Sequence, residues 1–119
     1  MDVKGLIWLG TKTERFADMV AFYEEVLGLR PDIKEPDFAV YRLPGGETVE
    51  LFGPSGGHEH FSTGPVAGFR VDDVAAARAE MEAKGVEFLG PTGTGGGHVW
   101  AHFRAPDGNV YEITSVPRA

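Results

Sequence analysis

Two glutamates hold matching places in a repeated pattern. Residues 41–51 read Tyr-Arg-Leu-Pro-Gly-Gly-Glu-Thr-Val-Glu-Leu, and residues 103–113 read Phe-Arg-Ala-Pro-Asp-Gly-Asn-Val-Tyr-Glu-Ile. At a constant offset of 62, Arg42 matches Arg104, Pro44 matches Pro106, Gly46 matches Gly108 and Glu50 matches Glu112. A carboxyl group set among apolar neighbours has its pKa raised and can act as a general acid or base. Glu112 and Glu50 are therefore the first catalytic candidates. His102 is the third, because an imidazole accepts and donates protons near neutral pH. His58-Glu59-His60 offers two imidazoles at i, i+2, but glycines precede it in a loop, and it reads as exposed. The glycine-rich run 90–97 lacks the Lys-Ser/Thr and the helix start that a phosphate cradle needs, so it reads as a mobile loop. No Ser-His-Asp arrangement is visible. With no cysteine in the chain, thiolate nucleophiles, disulfides and Cys-ligated zinc are excluded.

The elements that must position these residues can be read from turn chemistry. Each repeat carries a Pro-x-Gly corner. Proline presets the first turn position and glycine accepts the left-handed third, which makes a three-residue hairpin loop closed by a bulge. Counting outward puts His102 opposite Glu112, Phe103 opposite Tyr111, Arg104 opposite Val110, and Val40 opposite Glu50. Alternation then gives Trp100, His102, Arg104, Val110, Glu112 and Thr114 one face. Phe103, Tyr111 and Ile113 take the other, against the helices. In the first copy Tyr41, Val49 and Leu51 face the helices, and Val40, Thr48, Glu50 and Phe52 face away. Each glutamate thus points away from its helix, either into a shared cavity or into solvent, where Arg42 and Arg104 are the available partners. The aromatic companions Trp8, Phe38, Phe52 and Trp100 favour the cavity, since binding sites are mostly apolar with a few convergent polar groups. His102 is either a donor in that cavity or a satisfied core histidine. Trp8 and Trp100 either line it or pack in the core.

Two helices are expected. Phe16, Met19, Val20, Tyr23, Val26 and Leu27 trace one helical face over 15–27, after Thr13 as N-cap and before Gly28 as C-terminal cap. A second helix covers about 73–84, opening at Asp72-Asp73 and stopping at Gly85. Strands are expected at 4–10, 38–43, 47–52, 66–71, 86–89, 98–104 and 109–114. The chain therefore reads as one α+β domain of 119 residues built from a duplicated strand–helix–strands unit. Module one spans about 3–53, a linker about 53–64, and module two about 65–116. A net charge of −7, with scattered Lys and Arg, argues against nucleic acid and against a basic membrane anchor. No apolar run is long enough to span a membrane, and no signal-peptide pattern opens the chain. A cytoplasmic location is expected.

The run Phe22-Tyr23 to Leu27-Gly28-Leu29 resembles the Phe-Tyr…Leu-Gly helix of the vicinal oxygen chelate superfamily, the glyoxalase / bleomycin resistance / extradiol dioxygenase group. Pro106-Asp107-Gly108-Asn109 followed by Glu112-Ile113 resembles its closing hairpin. The resemblance covers essentially the whole chain. It implies two tandem βαβββ modules forming cup-shaped half-barrel sheets, and a homodimer in which modules of both chains close around each site. It also implies metal ligands at four positions, here Trp8, Glu50, Val66 and Glu112. Two of the four are carboxylates; Trp and Val offer no lone pair to a divalent cation. His102 would be a third donor beside Glu50 and Glu112 if a divalent metal binds. The family-based expectation is a small-molecule-binding protein with a degenerate metal site, the ligand held by Trp8, Phe38, Phe52, Val66, Trp100 and Arg104. The alternative is a glyoxalase-like lyase or isomerase using Glu112 with Glu50 or His102 as acid and base, with or without metal. Dioxygenase chemistry ranks last, because the histidine positions it needs are vacant.

Overall fold

The computed structural model describes residues 1–55, 58, 61 and 64–117. Glu59 and His60 of the paired-histidine motif lie outside the described residues, as does part of the expected linker. Contacts divide the chain into two compact units: Ile7–Val66, and Met1–Leu6 with Ala67–Ala119.

In the first unit, β1 (Gly5–Lys12) leads into helix α1 (Phe16–Ala21), then β2 (Pro31–Glu35), β3 (Phe38–Arg42) and β4 (Thr48–Phe52). β1 pairs parallel with β4, and β3 pairs antiparallel with β4 and with β2. The corner after β3 has the expected chemistry. Leu43 N–H donates to Glu47 O, Gly46 N–H donates to Leu43 O, and Gly46 takes a left-handed φ of 93°. Val40 faces Glu50 across the ladder, as the count requires. Tyr23, Ala39, Tyr41 and Leu51 form the core, with Phe16, Met19, Val20 and Val49 packed on it.

The helix of this unit departs from the expected 15–27. It is α-helical only to Ala21, and Phe22–Val26 form a π turn closed by Leu27 N–H to Phe22 O at 3.1 Å. The wider turn shifts the phase of the residues after it. Tyr23 stays in the core, but Val26 is 67% and Leu27 53% exposed, so neither joins the buried stripe. Glu24 is turned to meet Tyr41 Oη at 2.9 Å and Lys34 Nζ at 3.0 Å. Thr13 Oγ1 accepts from Arg15 N–H but does not cap α1 itself. β2 is absent from the expected strands. All five of its residues are exposed, so it lacks the alternation that marks a half-buried strand.

The second unit repeats the plan. β5 (Val66–Arg70) leads into α2 (Val74–Ala83), followed by β6 (Glu87–Gly95), β7 (His98–Arg104) and β8 (Val110–Ser115). β5 pairs parallel with β8, and β7 pairs antiparallel with β8 and with β6. Asp73 caps α2, its side chain accepting from Ala76 N–H at 3.0 Å. The corner after β7 has Ala105 N–H bonded to Asn109 O, Gly108 N–H bonded to Ala105 O, and Gly108 at φ 88°. Val71, Val74, Ala77, Ala101 and Ile113 make the core, with Phe88 and Phe103 against it. The expected loop at 90–97 is in fact mostly strand. β6 continues to Gly95 past a register break between Leu89 and Gly93. Trp100 makes this possible: its indole lies so close over Gly93 that no Cβ would fit there. An aromatic side chain across the ladder supplies the cover the glycine lacks.

Each unit therefore has the βαβββ order, with its glutamate in mid-strand on the face opposite its helix. No helix among the described residues is long and apolar enough to cross a membrane.

Candidate functional site

In the second unit, cross-strand register arranges the face that carries Glu112 into rows. The central row is Gly68, Glu112, His102 and Leu89, from β5, β8, β7 and β6 in turn. The row toward the end of β5 is Arg70, Thr114, Trp100 and Gly93. On the other side lie Val110, Arg104 and Glu87. Rows two residues apart on a strand stand about 6.6 Å from one another.

Glu112 is 4% exposed and His102 6%. Nε2 of His102 and Oε2 of Glu112 are 3.5 Å apart, too far for a good hydrogen bond. Oε2 of Glu112 is fully buried, with no hydrogen-bond partner among the described residues. Burial pushes the Glu112 carboxyl up to about 8 and the His102 imidazole down to about 4. Both effects have one cause: a buried group resists charge. The pair at neutral pH is thus a carboxylic acid beside a neutral imidazole. An orphaned buried carboxyl oxygen costs about 1–3 kcal/mol, and native proteins keep such groups mainly where a ligand, water or chemical role answers them.

Thr114 is buried too, but its hydroxyl is satisfied by Val99 O at 3.0 Å. Trp100 is half-buried beside Thr114. Arg104 is exposed at the strand end and donates through Nη1 to Gly108 O at 2.9 Å, within its own hairpin. It does not pair with Glu112. Arg42, its counterpart, meets Asp32 at 3.4 Å rather than Glu50.

In the first unit, Glu50 is half-buried, flanked by Val40 on β3 and Gly10 on β1. The indole of Trp8 folds along its own strand and covers Gly10 closely enough to exclude a Cβ. Its ring centroid is 6.5 Å from Phe52 and 5.9 Å from Phe61. Phe38 sits 5.3 Å from Phe52. Trp8, Phe38 and Phe52 are thus brought together as expected. Phe61 and His58 join them from outside the strands. His58, expected to be exposed, is half-buried, stacked on Phe61 at 4.8 Å and 4.4 Å from Phe52. No periodic signal could have found these two, because they belong to no strand or helix. Val66, 2% exposed, opens β5.

The donor set for a divalent metal is incomplete. Trp8 and Val66 bring no donor atoms, and no three His, Asp or Glu side chains among the described residues come together to hold an ion. His102 and Glu112 alone give two protein donors, and a site for zinc or a transition metal normally uses at least three.

A family model, Glyoxalase/Bleomycin resistance protein/Dioxygenase superfamily, matches residues 8–113. Solved structures share the fold. A methylmalonyl-CoA epimerase from Streptomyces coelicolor, in complex with 2-nitronate-propionyl-CoA, is 18% identical with a TM-score of 0.76, covering 99% of this chain and 100% of that one. A glyoxalase/bleomycin resistance protein/dioxygenase superfamily member from Vibrio splendidus 12B01 is 16% identical with a TM-score of 0.69, covering 94% and 98%. The Mn(II)-bound glyoxalase from Novosphingobium aromaticivorans is 25% identical with a TM-score of 0.73; the match covers 98% of this chain but 42% of that longer one. No curated protein sequence matches.

Proposed function

Because the chain belongs to the Glyoxalase/Bleomycin resistance protein/Dioxygenase superfamily, we propose that it binds a small carbonyl compound and moves a proton on the carbon next to that carbonyl, with Glu112 as the acid and base. The observation that carries this reading is the buried Oε2 of Glu112, which has no hydrogen-bond partner among the described residues. A ligand is the natural group to answer it. In the forward step the ionised carboxylate takes the proton from the carbon, the C–H bond breaks, and the electron pair moves to the carbonyl oxygen as an enolate. Returning the proton to the same carbon and face only exchanges the hydrogen. Delivering it to the opposite face of the enolate, or to the former carbonyl carbon when the neighbouring carbon carries a hydroxyl, completes an isomerisation. With the acid raised to about 8, roughly one molecule in ten carries the basic form at pH 7, and its conjugate acid is a competent donor for the return. His102, neutral and 3.5 Å away, is a positioning residue that keeps the acid side by side with an uncharged neighbour.

A second reading, binding without turnover, is favoured by the aromatic group of Trp8, Phe38, Phe52 and Phe61, which suits a planar guest. Solvent-deuterium incorporation beside the carbonyl of small ketones, dicarbonyls and acyl thioesters separates the two. Proton transfer predicts incorporation by the wild type and a loss of about 10²–10⁴-fold in Glu112→Gln. No incorporation above the protein-free rate would leave binding as the function, and equal catalysed rates in the two proteins would remove Glu112 from the chemistry. The homodimer implied by the family resemblance and the cytoplasmic location expected from composition belong to the same proposal; a solution mass of 12.8 kDa rather than twice that would remove the dimer.

A further inference from the structure

The strand that flanks each glutamate carries the same three-residue device. On β1, Gly10 lies directly beside Glu50, and Lys12 follows two residues later on the same face. On β5, Gly68 lies directly beside Glu112, and Arg70 follows two residues later. In both units a residue without a side chain adjoins the carboxyl, and a cation stands one row along, about 6.6 Å away at the backbone. These cations also differ from most others in the chain. Among the described residues, Lys4, Arg15, Lys34, Arg42, Arg78 and Lys84 each meet a carboxylate at 3.0–3.9 Å. Lys12 and Arg70 meet none among those residues, although acidic residues outnumber basic ones 18 to 11. An arginine left without a carboxylate in so acidic a chain keeps its planar fork of donors for an oxyanion.

We propose that Arg70 is a specificity residue that holds an oxyanion, carboxylate or phosphate, carried by the same small molecule whose carbonyl end reaches Glu112. Lys12 is its counterpart beside Glu50. The inference rests on the reading of Glu112 as the acid and base, and adds the substrate class: an anionic carbonyl compound whose charge lies several bonds from the reacting carbon. Gly68 leaves the line between the two groups free of a side chain of its own.

Two matched pairs of probes test it: levulinate against methyl levulinate, and dihydroxyacetone phosphate against dihydroxyacetone. Dissociation constants are measured together with the Arg70 Nε–H resonance. In at least one pair, the charged member binds about ten-fold tighter than the neutral one and moves that resonance. Arg70→Gln removes the preference and Arg70→Lys keeps part of it. Which pair responds tells carboxylate from phosphate. Equal affinity within both pairs, failure of both anions to bind, or a preference that survives Arg70→Gln overturns the proposal. Deuterium exchange in methyl levulinate, which carries no charge, follows Glu112 separately. Exchange without charge preference sinks the Arg70 assignment and leaves the proton-transfer reading standing. Charge preference without exchange does the reverse.

Discussion

The two modules share a backbone plan and differ in what stands next to the glutamate. In module one, Trp8 covers Gly10 beside Glu50, Phe52 and Phe61 pack near the indole, and His58 packs on those two phenyl rings. In module two the residue in the place of Trp8 is Val66, and Glu112 keeps a buried oxygen that no group among the described residues satisfies. The register is the same in both, since Gly10 pairs with Glu50 as Gly68 pairs with Glu112. The filling differs. One half commits its face to aromatic packing, and the other holds an unsettled acid. A repeated motif predicts where a side chain points and not what surrounds it.

If the halves are equal as scaffolds, their cores should cost the same to damage. Leu51→Ala in module one and Ile113→Ala in module two each remove a large side chain that is at most 2% exposed. Each should lower stability by about 2–5 kcal/mol in denaturant titrations. A tolerant response in one would show that only the other module organises the fold.

Gly10→Ala sharpens the difference in filling. Its new methyl collides with the Trp8 indole, so the expected loss is about 1–3 kcal/mol. In a Trp8→Val background, which imitates module two, the same substitution should be close to neutral. A loss that persists there would mean that the backbone, and not the indole, forbids the side chain.

The ionisable pair gives module two its own pH signature. The Glu112 carboxyl is raised from 4.5 to about 8 in the folded protein, so its contribution is complete below pH 4.5 and is lost as pH rises through 8. His102 is lowered from 6.5 to about 4, so its contribution is complete above pH 6.5 and is lost on acidification toward 4. Between 4.5 and 6.5 the two slopes oppose one another. From 6.5 to 8 only Glu112 acts, and stability should fall by about 1–2 kcal/mol. Glu112→Gln should flatten that segment, and a wild-type profile already flat there would remove the signature.

Much of this was legible in the sequence because short-range chemistry dictated it. The Pro-x-Gly corners set both hairpin registers, and alternation from them put Tyr41 and Ile113 in cores and Glu50 and Glu112 on the opposite faces. The features that escaped were set by tertiary context. β2 is an edge strand with no buried face, so it leaves no periodic trace. β6 runs through glycines because Trp100 covers them. The π turn at Phe22–Val26 looks like ordinary helix in residue type, yet it moves Val26 and Leu27 to the surface. Phe61 and His58 reach Phe52 from irregular chain. The glutamate pair could be named from the repeat, but the inequality between its members depends on burial, which no repeat encodes.

The proposed chemistry depends most directly on the protonation of one side chain. A ¹³C NMR titration of the Glu112 carboxyl, assigned by its loss in Glu112→Gln, measures it. The expected midpoint is about 8. A midpoint at the ordinary glutamate value of about 4.3 would show the group solvated and ionised throughout, and would contradict its role as a buried acid and base.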